Sequence, residues 1–174
     1  MRTKRSLLAD LGRGAIAGAA ATWVMTQVTN VLYEHENTRA RDREDRARGG
    51  EAAYTILARK LEALTGRQLT KRERDRVGLM IHWTLGITAG AAYAAMRRRV
   101  PGADAAAGLA FGTFFFLAMD ETANPLLGVT PGPRAFPWQA HARGLAGHAV
   151  FGAVTDAVLS LTDPAPEPAG FAAD

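Results

Sequence analysis

Charged residues are confined to separate blocks of this chain, and long stretches between the blocks carry no charge. The segments 14–33 and 78–96 contain no Asp, Glu, Lys or Arg, whereas the segment 34–76 contains 21 such residues. A helix rises about 1.5 Å per residue, so about 20 apolar residues cross the ~30 Å hydrocarbon core of a bilayer. The segregation therefore predicts membrane-spanning helices separated by polar extramembrane parts.

Four stretches are long enough to be spans, and we place them at about 7–33, 77–97, 105–124 and 138–162. Small residues recur four apart in each stretch, which lets helix backbones approach closely in lipid. The pairs are Gly14 with Gly18, Gly86 with Gly90, Gly108 with Gly112, and Gly144 with His148 and Gly152. We therefore predict an all-α fold, a four-helix transmembrane bundle in which 1–163 form one membrane domain.

The segment 34–76 is predicted to be an extramembrane helical insertion, a charged hairpin between spans one and two. Its first half is expected to continue span one as a helix up to Gly49, because opposite charges lie four residues apart. These pairs are Arg41 with Asp45, Asp42 with Arg46 and Glu44 with Arg48. The charged faces are expected to be solvated. The Pro-rich, acidic tail 164–174 is expected to be disordered.

Polar residues of the predicted spans converge on one side of the membrane. Consecutive spans alternate in direction, so the ends of spans one and three share a side with the starts of spans two and four. The side chains on that side are Glu34, His82, Asp120, Glu121, His141 and His148. Asp120 and Glu121 differ by about 100° around a helix, so we expect Asp120 to be the more central. Pro125 is expected to end or kink the helix.

Three interpretations of this cluster stay open on sequence alone. The groups can hydrogen-bond the bundle together, because polar groups inside a membrane face the protein interior. They can bind a divalent metal such as zinc, iron or manganese, which imidazole and carboxylate ligands suit. They can bind protons, since histidine titrates near neutrality. No HExxH or ExxH motif is present, and at the opposite membrane edge Arg13 is expected to form a structural ion pair with Asp156.

The composition narrows the possible functions. The chain has no cysteine, which excludes disulfides, thiolate metal sites and cysteine nucleophiles. The net charge of +4 comes from arginine-rich segments beside apolar ones, which favours contact with anionic lipid headgroups over nucleic acid. We predict a small multi-pass membrane protein that binds metal or protons. The alternatives are a structural or assembly protein whose 34–76 hairpin binds a protein partner or a second copy, and a membrane metal-dependent enzyme.

Two stretches carry a family resemblance. AGAAATWVMTQ in span one and DETANPLLGVTPGPRAFPWQAHARGLAGHAVFG across spans three and four, with the glycine-rich span two, resemble the YagU-like family of uncharacterised bacterial inner-membrane proteins. The most specific part is Pro125, Gly128 and Pro131, followed by Gly147 and His148. The resemblance implies a multi-pass protein of the inner (cytoplasmic) membrane. It implies no activity and no functional residues.

Overall fold

The computed structural model describes residues 6–163, and every regular element among them is helical. The predicted all-α class is confirmed, while the predicted tail 164–174 lies outside the described residues. The elements are α1 (Leu7–Glu34), α2 (Thr38–Arg48), α3 (Ala53–Thr65), α4 (Lys71–Met96), α5 (Leu109–Ala118), a π-helical turn (Met119–Ala123), α6 (Asn124–Leu126), a 3₁₀ turn (Pro133–Ala135) and α7 (Trp138–Leu161).

Two of the described helices, α4 and α7, are long and apolar enough to cross a membrane by length and composition. The helix α1 has 28 residues but carries Gln27 and Asn30 in its second half. The helix α5 has 10 residues before the π-helical turn interrupts it. A membrane crossing by α1 and α5, and with it the four-helix transmembrane bundle, therefore stays a prediction.

The helices α1 and α4 touch backbone to backbone at glycines. A Cβ atom added to Gly90 would lie 2.5 Å from the carbonyl oxygen of Gly14 and 2.5 Å from the Cα of Gly18. No side chain fits in that space, so this contact requires glycine on both helices. The same close approach continues at Gly86, where an added Cβ would collide with the Thr22 hydroxyl.

The helices α5 and α7 make a second glycine contact. An added Cβ on Gly112 would meet the backbone of His148, and one on Gly108 would meet the backbone of Gly152. The helix α5 begins at Leu109 and not at the predicted residue 105. The reason is a left-handed backbone at Ala106, Ala107 and Gly108, with φ of 52°, 52° and 81°, which a right-handed helix excludes.

The charged insertion folds differently from the prediction. The helix α2 does not continue α1, because the chain turns after Glu34 and Asn37 caps a new helix by accepting a hydrogen bond from Ala40 N at 2.9 Å. Gly49 ends α2 with φ of 66°. The helix α2 then lies against α7, and α3 packs along α4. Each insertion helix is therefore attached to a long helix of the bundle.

Of the three charge pairs expected along α2, the structure forms one. Arg48 lies 2.8 Å from Glu44, and no ion pair joins Arg41 to Asp45 or Asp42 to Arg46 in the described part of the chain. Asp45 accepts instead from the Tyr33 hydroxyl at 3.1 Å. Tertiary contacts therefore take precedence over spacing along this helix.

Arg13 has a different partner from the predicted one. It donates to Asp163 at 2.8 Å and to the Leu159 carbonyl at 3.1 Å. Asp156 accepts from the Tyr93 hydroxyl at 2.7 Å and lies 3.4 Å from Arg97. The predicted Arg13–Asp156 pair is thus corrected, because Asp156 faces α4 in the interior while Arg13 reaches the end of α7. The helices α1 and α7 do lie in contact.

We expect Gly90→Ala to lower the free energy of unfolding by about 1–3 kcal/mol, since the added methyl overpacks a backbone contact. Gly12→Ala on α1 is the matched control, because nothing lies within 4 Å of its added Cβ. The control should be neutral or stabilising by up to about 1 kcal/mol from helix propensity. Unfolding of both variants in the same detergent measures the difference, and equal stability would contradict the contact.

A second prediction concerns Glu62, which joins the end of α3 to the start of α4. Its carboxylate accepts from Arg74 at 2.9 Å and from Leu69 N at 2.8 Å, and the bond from Arg74 is the main reason that its pKa is lowered. Because the pKa of Glu62 is lowered in the folded state, its contribution to stability is complete above the unfolded-state pKa of about 4.3. This contribution is lost as the pH falls through the folded-state pKa. Glu62→Gln should therefore lower Tm near neutral pH and match the unmodified chain in acid.

The control for this measurement is Asp75→Asn, whose exposed pair with Lys71 spans 3.9 Å. It should leave Tm unchanged at every pH, since such pairs contribute little. A Glu62→Gln difference that persists at low pH would show that the carboxylate charge is not its source.

Candidate functional site

A cavity of about 740 Å³ lies inside the bundle, beyond the glycine contact of α1 with α4. Its walls come from the second half of α1, the first half of α4, the π-helical turn and the first half of α7, and α2 and the segment 129–136 also line it. Thr22 and Gly86, which touch each other at the edge of the glycine contact, already belong to the wall. This volume falls in the usual range of ligand pockets, about 300–1,000 Å³.

The two carboxylates that follow the Phe114–Phe116 run lie in the π-helical turn. Pro125 has no N–H to donate to the carbonyl of Glu121. The residue before it, Asn124, donates its backbone N–H to the Met119 carbonyl, five residues earlier. The helix widens by one residue there and ends at Leu126, which confirms that Pro125 interrupts it. Turns of this kind are frequent at functional sites. Here the turn presents both Asp120 and Glu121 to the cavity.

Glu121 pairs with His141 at the start of α7. The Nδ1 atom of His141 lies 2.5 Å from Glu121 Oε1, and its Nε2 lies 3.0 Å from the Pro133 carbonyl oxygen. A carbonyl only accepts, so Nε2 carries a hydrogen. A neutral imidazole has one N–H, and an ionised carboxylate has none to donate. The contact between Nδ1 and Glu121 therefore needs one additional proton, shared by the pair.

Asp120 faces His148, two turns deeper on α7. Asp120 Oδ2 lies 3.8 Å from His148 Nδ1, while that nitrogen donates to the Gly144 carbonyl at 2.9 Å. The rings of Phe115 and Phe116 lie against the buried imidazole. Asp120 keeps 40% of its side chain exposed, towards the cavity it lines. Its other contact, with the amide of Asn124, is long at 3.4 Å.

His82 of α4 lines the same cavity from the opposite wall. Its Nε2 lies 3.4 Å from the Thr26 hydroxyl on α1, and the ring of Tyr54 is 5.5 Å away. Glu34, which was predicted to join the cluster from span one, is exposed and absent from the cavity wall. Glu36, two residues later, binds Arg143 instead, among the charged side chains described below.

The six residues predicted as one metal centre are divided into separate groups. Among residues 6–163, no three His, Asp or Glu side chains are placed to hold one metal ion. The cause is the spacing on α7, since His141 and His148 are seven residues and thus about 10 Å apart along the helix. Each carboxylate of the π-helical turn consequently meets a different histidine. Metal binding by these six residues therefore stays a prediction.

A buried charge cluster at the mouth of the cavity was missed by sequence reasoning. Arg143 of α7 lies 2.5 Å from Glu44 of α2, also binds Glu36, and sits over the ring of Tyr33 at 4.9 Å. Glu44 is only 2% exposed, which corrects the expectation of a solvated face. Arg143 itself is the signal that was overlooked, because a charge inside a predicted span marks an interior partner.

Comparison with known proteins identifies a family but no function. Neither a curated protein nor a solved structure matches the sequence. One family model, described as protein of unknown function (DUF1440), matches residues 62–157. The match spans more than half of the chain and includes α4, the π-helical turn and most of α7. It agrees with the expectation of an uncharacterised family, while the YagU-like resemblance stays a prediction. The chain belongs to the DUF1440 family.

Proposed function

We propose that this chain is a multi-pass inner-membrane protein whose cavity binds and releases protons through two His–carboxylate pairs, Glu121 with His141 and Asp120 with His148. The pairs belong to one cavity, and they are reached from the membrane side that α2 covers.

The distribution of apolar side chains supports the membrane setting. Large hydrophobic residues are exposed on α1, α4, α5 and α7, whereas Gly18, Thr22 and His148 are buried. Examples are Ile16, Trp23, Met80, Phe114, Leu117, Trp138 and Leu145. Close glycine contacts inside and apolar surface outside are the arrangement expected of helices packed in lipid.

The observation that carries the proton proposal is the hydrogen-bond geometry of His141. Both of its ring nitrogens face acceptors, so the Glu121–His141 pair is satisfied only when it holds one proton more than a neutral imidazole and a carboxylate. Within residues 6–163, neither Glu121 nor Asp120 forms an ion pair with Lys or Arg. Each carboxylate lies instead beside a histidine, at 2.5 Å for Glu121 and at 3.8 Å for Asp120.

A purely structural role would also use these hydrogen bonds, but it does not require the cavity. The alternative of a structural or assembly protein whose 34–76 hairpin binds a partner loses support, because Glu44 on α2 is buried against Arg143 of α7. A helix held in this way is part of the cavity wall and offers less free surface to a partner.

The test is proton NMR of the full chain in lipid nanodiscs. We expect a resonance far downfield of ordinary imidazole N–H signals, from the proton between His141 and Glu121, that disappears reversibly once the pair releases this proton at high pH. Glu121→Gln and His141→Gln should each abolish it. His35→Gln is the control and should retain it, since His35 is exposed and its ring bonds to the Val31 carbonyl, outside the cavity. A resonance that survives Glu121→Gln, or none at any pH, would contradict the proposal.

A further inference from the structure

We propose that the cavity binds a small organic cation with an apolar body, and that Asp120 is its counter-ion. This inference rests on the proposed function only in using the same cavity. It goes further by assigning a ligand class to a carboxylate that the protein leaves poorly satisfied.

The first argument is charge. Five carboxylates line the cavity, Glu44, Asp45, Glu51, Asp120 and Glu121, against two cationic side chains, Arg48 and Arg143. Both arginines are already bound to Glu44. An anionic ligand would add to the excess of negative charge in the wall, whereas a cationic ligand would reduce it.

The second argument is the state of Asp120. Three of the other carboxylates have close partners, since Glu44 binds Arg143, Glu51 lies 3.0 Å from Arg59, and Glu121 contacts His141. Within the described part of the chain, Asp120 has only the 3.4 Å contact with Asn124 and the 3.8 Å approach of His148. The proton of His148 Nδ1 is directed to the Gly144 carbonyl at 2.9 Å. Asp120 thus retains acceptor capacity, and its exposed part faces the cavity.

The third argument is the aromatic wall. A cation is attracted to the face of an aromatic ring within about 6 Å. Two arginines of the wall already use this interaction, with Arg143 at 4.9 Å from the Tyr33 ring and Arg48 at 5.7 Å from the Phe136 ring. Phe115 and Phe116 flank the Asp120 side of the cavity and touch His148, and no Arg or Lys of residues 6–163 lies over their rings. They offer an apolar surface to the body of a ligand whose ammonium group meets Asp120.

Size favours an organic cation over a bare ion. A cavity of about 740 Å³ is far larger than a single ion needs, and no three acidic or histidine ligands converge among residues 6–163. A primary ammonium on an aromatic or aliphatic body satisfies the carboxylate and fills the apolar space.

The experiment is calorimetric titration of the full chain in nanodiscs of neutral phosphatidylcholine with phenethylammonium. Phenethyl alcohol is the uncharged isostere and 3-phenylpropionate the anion. We expect saturable binding of the ammonium compound alone. Asp120→Asn should weaken it by at least about tenfold, because the charge pair is lost. Asp42→Asn is the matched control on α2, where Asp42 is exposed and outside the cavity wall, and should bind normally.

Equal binding of the alcohol, or an unchanged affinity in Asp120→Asn, would overturn the inference. If Asp120→Asn does not fold, Asp120→Glu should retain binding within about tenfold, and the comparison of the ammonium with the alcohol still decides. The downfield His141 resonance separates the two proposals. If it persists while no cation binds, the ligand assignment fails and the proton proposal stands, and the converse result removes the proton proposal alone.

Discussion

The backbone contact of α1 with α4 at Gly14, Gly18 and Gly90 is the constraint on which the rest of the structure depends. The two backbones touch there and leave no room for a side chain, so the helices approach each other most closely at this level. Larger residues begin beyond Thr22 and Gly86, and the cavity begins at the same level. In lipid, where burial of apolar surface no longer drives helix association, such contacts supply the packing energy.

At the other end of the cavity, a cluster of charged side chains joins α2 to α7. Arg143 projects from α7 to Glu44 and Glu36, so α2 is fastened over the cavity by a buried ion cluster. Breaking such a cluster by removing one partner is costly, because a buried charge is left uncompensated. The helix α2 thereby covers the polar groups of the cavity, among them the two carboxylates of the π-helical turn.

Much of this arrangement follows from periodicity and span direction. The glycine pairs and the common location of His82, Asp120 and His141 could be predicted, because they require only helix geometry. The predictions that were wrong concern turns of the chain and partners that lie far apart in sequence. A cap at Asn37 redirects α2, and Glu44 meets Arg143 across 99 positions of sequence. Arg13 selects Asp163 over Asp156 because the end of α7 comes within its reach, which spacing along one helix does not reveal.

The central claim is that a water-accessible polar cavity lies inside a bundle whose outer face contacts lipid. The chain has no cysteine, so single cysteines can be introduced one at a time and labelled in native membranes with a small, water-soluble maleimide. Thr26→Cys, in the cavity wall, should react, while Ile16→Cys, 69% exposed on the outer face of α1, should not. Rapid labelling of Ile16→Cys, or none of Thr26→Cys, would contradict the account.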